Sequence, residues 1–143
     1  EKGFAISRAF YTRDGKPVDL AKVKQNDRLV VVIKGKVKSG EEHQALVVDL
    51  LPAGLEIQNA RLAHEDSTDE LSWLPELSDT QYSEPRDDRF VAALDVSGGQ
   101  DFTLAYQVRA VTPGAFQVPA VFIEDMYKPW YYARGASSQM SIK

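Results

Sequence analysis

Phe90-Val91-Ala92-Ala93-Leu94-Asp95-Val96-Ser97-Gly98-Gly99-Gln100-Asp101-Phe102-Thr103-Leu104-Ala105-Tyr106-Gln107-Val108-Arg109-Ala110 is the stretch that decides the fold class. Phe90, Ala92, Leu94 and Val96 form one alternating apolar row. Phe102, Leu104, Tyr106, Val108 and Ala110 form a second. Successive side chains of a pleated strand point to opposite faces, so each row predicts a half-buried strand. Ser97-Gly98-Gly99-Gln100 between them predicts a hairpin turn.

The same period extends outward in both directions. Leu29, Val31, Ile33 and Val37 predict a core face, with Arg28, Lys34, Lys36 and Lys38 on a solvated basic face. Leu46, Val48 and Leu50 repeat the pattern up to Pro52-Ala53-Gly54. Phe116, Val118, Ala120 and Phe122 follow Thr112-Pro113-Gly114. Residues 5–12 read as a strand turning at Asp14-Gly15-Lys16-Pro17, and 138–142 as a short last strand. Seven or more short strands punctuated by Gly and Pro predict an all-β, antiparallel sandwich of immunoglobulin or fibronectin-III type. Residues 64–88 break the pattern, with nine acidic residues against the single basic Arg86. Ser67 and Glu70 at capping-box spacing, with Leu71 and Leu74, predict a short helix near 68–74. A long acidic loop from Pro75 to Asp88 would follow.

The composition narrows the function. A length of 143 residues suits one domain. The net charge of −4 and pI near 5.2 argue against nucleic-acid binding, which needs clustered uncompensated cations. The excess acid is local: outside 64–88 there are 16 basic and 12 acidic residues. With no cysteine, disulfides and thiol chemistry are excluded from this chain. No apolar run reaches the roughly 20 residues of a membrane helix, so no direct membrane contact is expected. The opening Glu1-Lys2-Gly3 reads as a piece cut from a longer protein.

Signals for catalysis are weak. There is no Gly-x-Ser-x-Gly elbow, and the two histidines, His43 and His64, read as exposed loop residues without metal-ligand spacing. The acid pairs Glu41-Glu42, Asp69-Glu70 and Asp87-Asp88 are sequence neighbours, which face opposite ways in extended chain. The expectation is therefore a non-enzyme without metal or cofactor. Glu124-Asp125-Met126-Tyr127-Lys128-Pro129-Trp130-Tyr131-Tyr132 stands apart, with five large apolar or aromatic residues in seven positions. Rings gathered in this way serve either as an interaction surface or as a plug folded onto the domain's own core.

Glu124-Asp125-Met126-Tyr127-Lys128-Pro129, preceded by Tyr106-Gln107-Val108-Arg109-Ala110-Val111-Thr112-Pro113-Gly114, resembles the end of bacterial α2-macroglobulins. Pro85-Arg86-Asp87-Asp88-Arg89-Phe90-Val91-Ala92-Ala93 and Leu50-Leu51-Pro52-Ala53-Gly54-Leu55-Glu56 are similar to the same family, in the same order. The resemblance implies that residues 1–143 are one C-terminal macroglobulin-like domain of a larger multidomain protease trap. In that family a protease cuts a bait region, the molecule rearranges, and a Cys–Gln thioester in another domain captures the attacker.

By the same resemblance, Met126 and Tyr127 are a lid over the thioester, with Asp125 and Pro129 shaping its turn. An apolar cover of adaptable Met and broad Tyr keeps water and amines from a reactive carbonyl, and domain displacement lifts it. Implied partners are the thioester domain, the neighbouring macroglobulin domains and, through the parent, target proteases. The implied setting is the periplasm, with the parent held to the inner membrane by an N-terminal lipid. The receptor-binding lysines of animal relatives have no counterpart, because residues 63–74 contain no Lys. The alternative is a carbohydrate-binding or adhesion sandwich with Trp130, Tyr131 and Tyr132 as a stacking platform. An enzyme would require converging carboxylates or a His-paired Ser in the fold.

Overall fold

The strands on either side of Ser97-Gly98-Gly99-Gln100 form where the alternation predicts, but they do not pair with each other. A computed structural model, described for residues 3–59, 73–74, 78, 82–86 and 88–143, contains β1 (Phe4–Thr12), β2 (Arg28–Val37), β3 (His43–Leu50), β4 (Leu55–Asn59), β5 (Tyr82–Arg86), β6 (Arg89–Val96), β7 (Asp101–Ala110), β8 (Gly114–Val118), β9 (Phe122–Asp125), β10 (Tyr132–Arg134) and β11 (Ser138–Ile142). β6 lies in the sheet β10-β9-β3-β6-β5, and β7 in the facing sheet β1-β2-β7-β4. The expected hairpin is an arch between sheets. Gly99 adopts φ 77° there, and Gln100 N–H donates to Ser97 O at 3.0 Å. A period of two dictates which face of a strand is buried but not which strand lies beside it. Across the arch the two rows meet in the interior, where the rings of Phe90 and Tyr106 stack at 4.5 Å and 12°.

β3 corrects the sequence reading. Its buried face carries His43, Ala45, Val47 and Asp49, whereas Leu46, Val48 and Leu50 face outward. The register supplies the reason. His43, Ala45, Val47 and Asp49 stand opposite Val96, Leu94, Ala92 and Phe90 of β6, and directly opposed residues of an antiparallel pair share a face. The unambiguous β6 row therefore overrides the ambiguous one in β3, drawing two polar residues inside. A row expected over 116–122 also divides. Pro119 falls in the gap between β8 and β9, after which Val121 and Ile123 are buried and Phe122 turns outward. β8 pairs with β11 in a separate two-stranded sheet.

The basic face of β2 is only partly solvated. Val30 and Val32 are buried with Ala105, covered by Tyr11, Trp73 and Leu74. Trp73 is tied down by its indole N–H, which donates to Arg13 O at 2.7 Å. Ser78 pairs with β7, its N–H donating to Thr103 O at 2.8 Å and its Oγ accepting from Thr103 N at 2.9 Å. The helix expected over 68–74 lies largely outside the described residues, as does His64; Trp73 and Leu74 themselves are turn and bend. Within the expected acidic loop, residues 82–86 are instead an edge strand on β6, a location where Pro85 removes no ladder bond that an inner strand would need.

Two charged clusters occupy the interior. Arg8 of β1 reaches across to Asp49 of β3, Nη1 to Oδ1 at 2.5 Å, and also donates to Pro119 O at 2.7 Å. Tyr106 donates its hydroxyl proton to the other carboxylate oxygen at 2.5 Å. This cluster ties the two sheets together; the second cluster underlies the candidate site.

Candidate functional site

β9 and β10 are joined by the loop 126–131, the segment whose aromatic content marks it in the sequence. Its side chains project: Met126 is 42% exposed, Tyr127 74% and Trp130 54%. The backbone beneath them is cross-linked throughout. Asp125 Oδ1 accepts from Tyr127 N at 2.8 Å and Lys128 N at 2.9 Å, closing a side-chain turn. Met126 N–H donates to Gln44 O at 2.8 Å, Tyr131 N–H to Lys128 O at 2.9 Å and Asp125 N–H to Tyr131 O at 3.0 Å.

A second set of contacts comes from the turn entering β3. His43 Nδ1 lies 2.7 Å from Asp125 Oδ2, and His43 Nε2 lies 2.5 Å from Ser39 Oγ. Phe4 and Tyr131 flank the imidazole at 4.7 and 4.9 Å between ring centroids. Glu41 accepts from the Tyr131 hydroxyl and from Lys128 Nζ, the latter at 3.2 Å. Burial pushes Asp125 up, but the His43 hydrogen bond and the Tyr127 and Lys128 N–H groups outweigh it and hold the carboxyl below its usual range. The Tyr131 hydroxyl, then Lys128, likewise hold Glu41 low. An ionised Asp125 can only accept, so His43 Nδ1 carries the proton in that contact.

His43 is thus buried, 2% exposed, and not the loop residue expected from sequence. Ser39, His43 and Asp125 also have the order of a nucleophile, base and orienting acid. Their surroundings are those of a structural cluster. The imidazole side chain is wholly covered, Ser39 accepts from Glu41 N in its own turn at 3.3 Å, and Asp125 Oδ1 is spent on the loop backbone. A cleft of about 510 Å³ beside the loop is lined by His43, Asp125, Asp95, Tyr127 and Lys128 among others, with Ser39 outside it. Among the described residues no three His, Asp or Glu side chains are grouped to hold a metal.

The aromatic trio does not share one plane. Tyr131 turns beneath the loop onto Gly3, where a Cβ would lie 2.5 Å from its ring. Trp130 and Tyr131 are 6.1 Å apart at 41°, and Tyr132 leans on Phe122 at 6.4 Å. Pro129 is exposed within the loop. Sequence reading finds the tip by its composition; its support from Ser39, Glu41 and His43 carries no local signal.

The chain is thus an antiparallel β-sandwich bearing a pinned, exposed tip. The model of the bacterial α2-macroglobulin MG10 domain matches residues 3–129, and the chain belongs to that family. It is 42% identical over 131 residues to the α2-macroglobulin of Xylella fastidiosa, covering 87% of this chain and 8% of that protein. Escherichia coli α2-macroglobulin activated by porcine elastase superposes with a TM-score of 0.88 at 37% identity, over all of this chain and 13% of that one. Salmonella α2-macroglobulin reacted with methylamine does so with a TM-score of 0.85 at 38% identity, over 99% of this chain and 9% of that one. The chain spans 8–9% of the length of the three curated relatives it matches at 41–42% identity.

Proposed function

We propose that this chain is the non-catalytic C-terminal domain of a bacterial protease trap, and that Met126 and Tyr127 cover the thioester of a neighbouring domain until bait cleavage. The carrying observation is an exposed Met-Tyr pair on a backbone pinned by Asp125. Preorganised exposure suits docking, because little ordering is lost when a partner covers the tip. Support also comes from the relatives, one activated by elastase and another reacted with methylamine. A methylamine-reactive acyl group needs shelter from water, which an apolar cover supplies. The proposed setting is the periplasm, with a lipid anchor borne elsewhere in the parent.

In the full-length thioester-bearing parent, Tyr127→Ala should speed reaction with methylamine before any protease is added. Removing a ring worth roughly 1.5–3 kcal/mol of burial corresponds to about tenfold or more in exposure of the bond. Thiol release measures it, and an unchanged rate would sink the cover reading. A glycan platform of Trp130, Tyr131 and Tyr132 has less support, since the Tyr131 ring is committed to Gly3 and His43.

A further inference from the structure

We propose that His43 is the positioning residue of the Met126-Tyr127 tip, acting through Asp125. The inference rests on the cover reading for its functional consequence, though not for its structural content. Asp125 divides its carboxylate: Oδ2 turns inward to His43 Nδ1 and Oδ1 turns outward to the N–H groups of Tyr127 and Lys128. With Asp125 1% exposed, Oδ2 has a partner only because the imidazole supplies a donor there. A buried charged acceptor left unpaired is strongly unfavourable, so without that donor the carboxyl must rotate or take up a proton. Rotation removes, and protonation weakens, the acceptor that sets the backbone course of residues 127 and 128.

The imidazole is itself aimed. Ser39 holds Nε2, and the rings of Phe4 and Tyr131 fix its plane. The turn carrying Ser39 is wedged by the arch between β6 and β7, where a Cβ on Gly98 would lie 2.6 Å from Ser39 O. Glu41, from the same turn, grips Tyr131 and Lys128 at the far end of the loop. Residues 39–43 therefore form the mould in which the tip is cast, and His43 is its link to the residues that present Met126 and Tyr127.

The test uses the geometry of amides as imidazole surrogates. The Nδ2 of Asn occupies the position of His Nδ1 and donates to Asp125, whereas the Nε2 of Gln reaches toward Ser39. In this chain, His43→Ala and His43→Gln should shift the Tyr127 and Lys128 amide NMR resonances, and His43→Asn should return them. In the full-length thioester-bearing parent, His43→Ala should raise methylamine reactivity about tenfold, the scale of one charge-assisted hydrogen bond, with rescue by Asn. If His43→Ala fails to fold, Asn against Gln makes the same comparison. Unshifted amides in His43→Gln, or no difference between Asn and Gln, overturns the positioning role. Amides that follow the Ala, Gln and Asn series while Tyr127→Ala leaves reactivity unchanged would uphold positioning and overturn only the cover reading.

Discussion

Asp49 and Arg8 show how one inward-facing residue demands another. Burial pushes the Asp49 carboxyl up, and the Arg8 charge and the Tyr106 hydroxyl pull it back. Side-chain exposures of 4% and 1% leave neither charge to water. Asp49→Ala should cost about 3–5 kcal/mol in urea unfolding, because it strands a buried guanidinium. The double replacement Arg8→Met with Asp49→Leu should cost less than the two single changes summed, because it removes both charges and keeps the volume. Additive losses would show that the pair is not coupled. None of this is legible locally, since Arg8 reads as an interruption in β1 and Asp49 as a polar residue on a solvent face.

At the scale of elements, the loop between β9 and β10 depends on the charge of Asp125. Its pKa is depressed below the ordinary 3.8. The stabilisation is therefore present above the unfolded pKa and is lost as the pH falls through the lower folded value. Acid should release the Tyr127 and Lys128 amides at a pH below 3.8, read by faster hydrogen exchange at those positions relative to the β2–β7 ladder. Release well above that pH would contradict the capping role. The loop was visible in sequence because five large apolar or aromatic residues crowd seven positions. Its support was hidden, since His43 lies 82 positions from Asp125 and Glu41 lies 90 from Tyr131. The strand β3 misleads for a related reason: both of its faces hold apolar residues, and the larger ones point outward.

For the molecule as a whole, the two sheets exchange the chain repeatedly: β6 and β7 are successive in sequence yet lie in opposite layers. Such non-local pairing implies folding on a millisecond-to-second scale. The chain contains no cysteine, so a Cys–Gln thioester cannot lie within these 143 residues. Incubated alone with an active protease, this chain should give no covalent adduct on a denaturing gel; an adduct would refute the proposed non-catalytic, cover-only role. The all-β class, the buried rows of β6 and β7, the family and the place of the aromatic segment in the chain are legible in the residues alone. The class and the buried rows follow from residue type and a period of two along a few neighbouring positions, and the family from the resemblance of several motifs in the same order. Folding in three dimensions settles that the apparent hairpin is an arch, which face of β3 is buried, that the aromatic segment projects, and that Arg8 meets Asp49 while His43 meets Asp125. Those outcomes depend on contacts 41 and 82 residues apart, where opposed registers choose the face and each buried charge is stable only beside the partner that the packing brings to it.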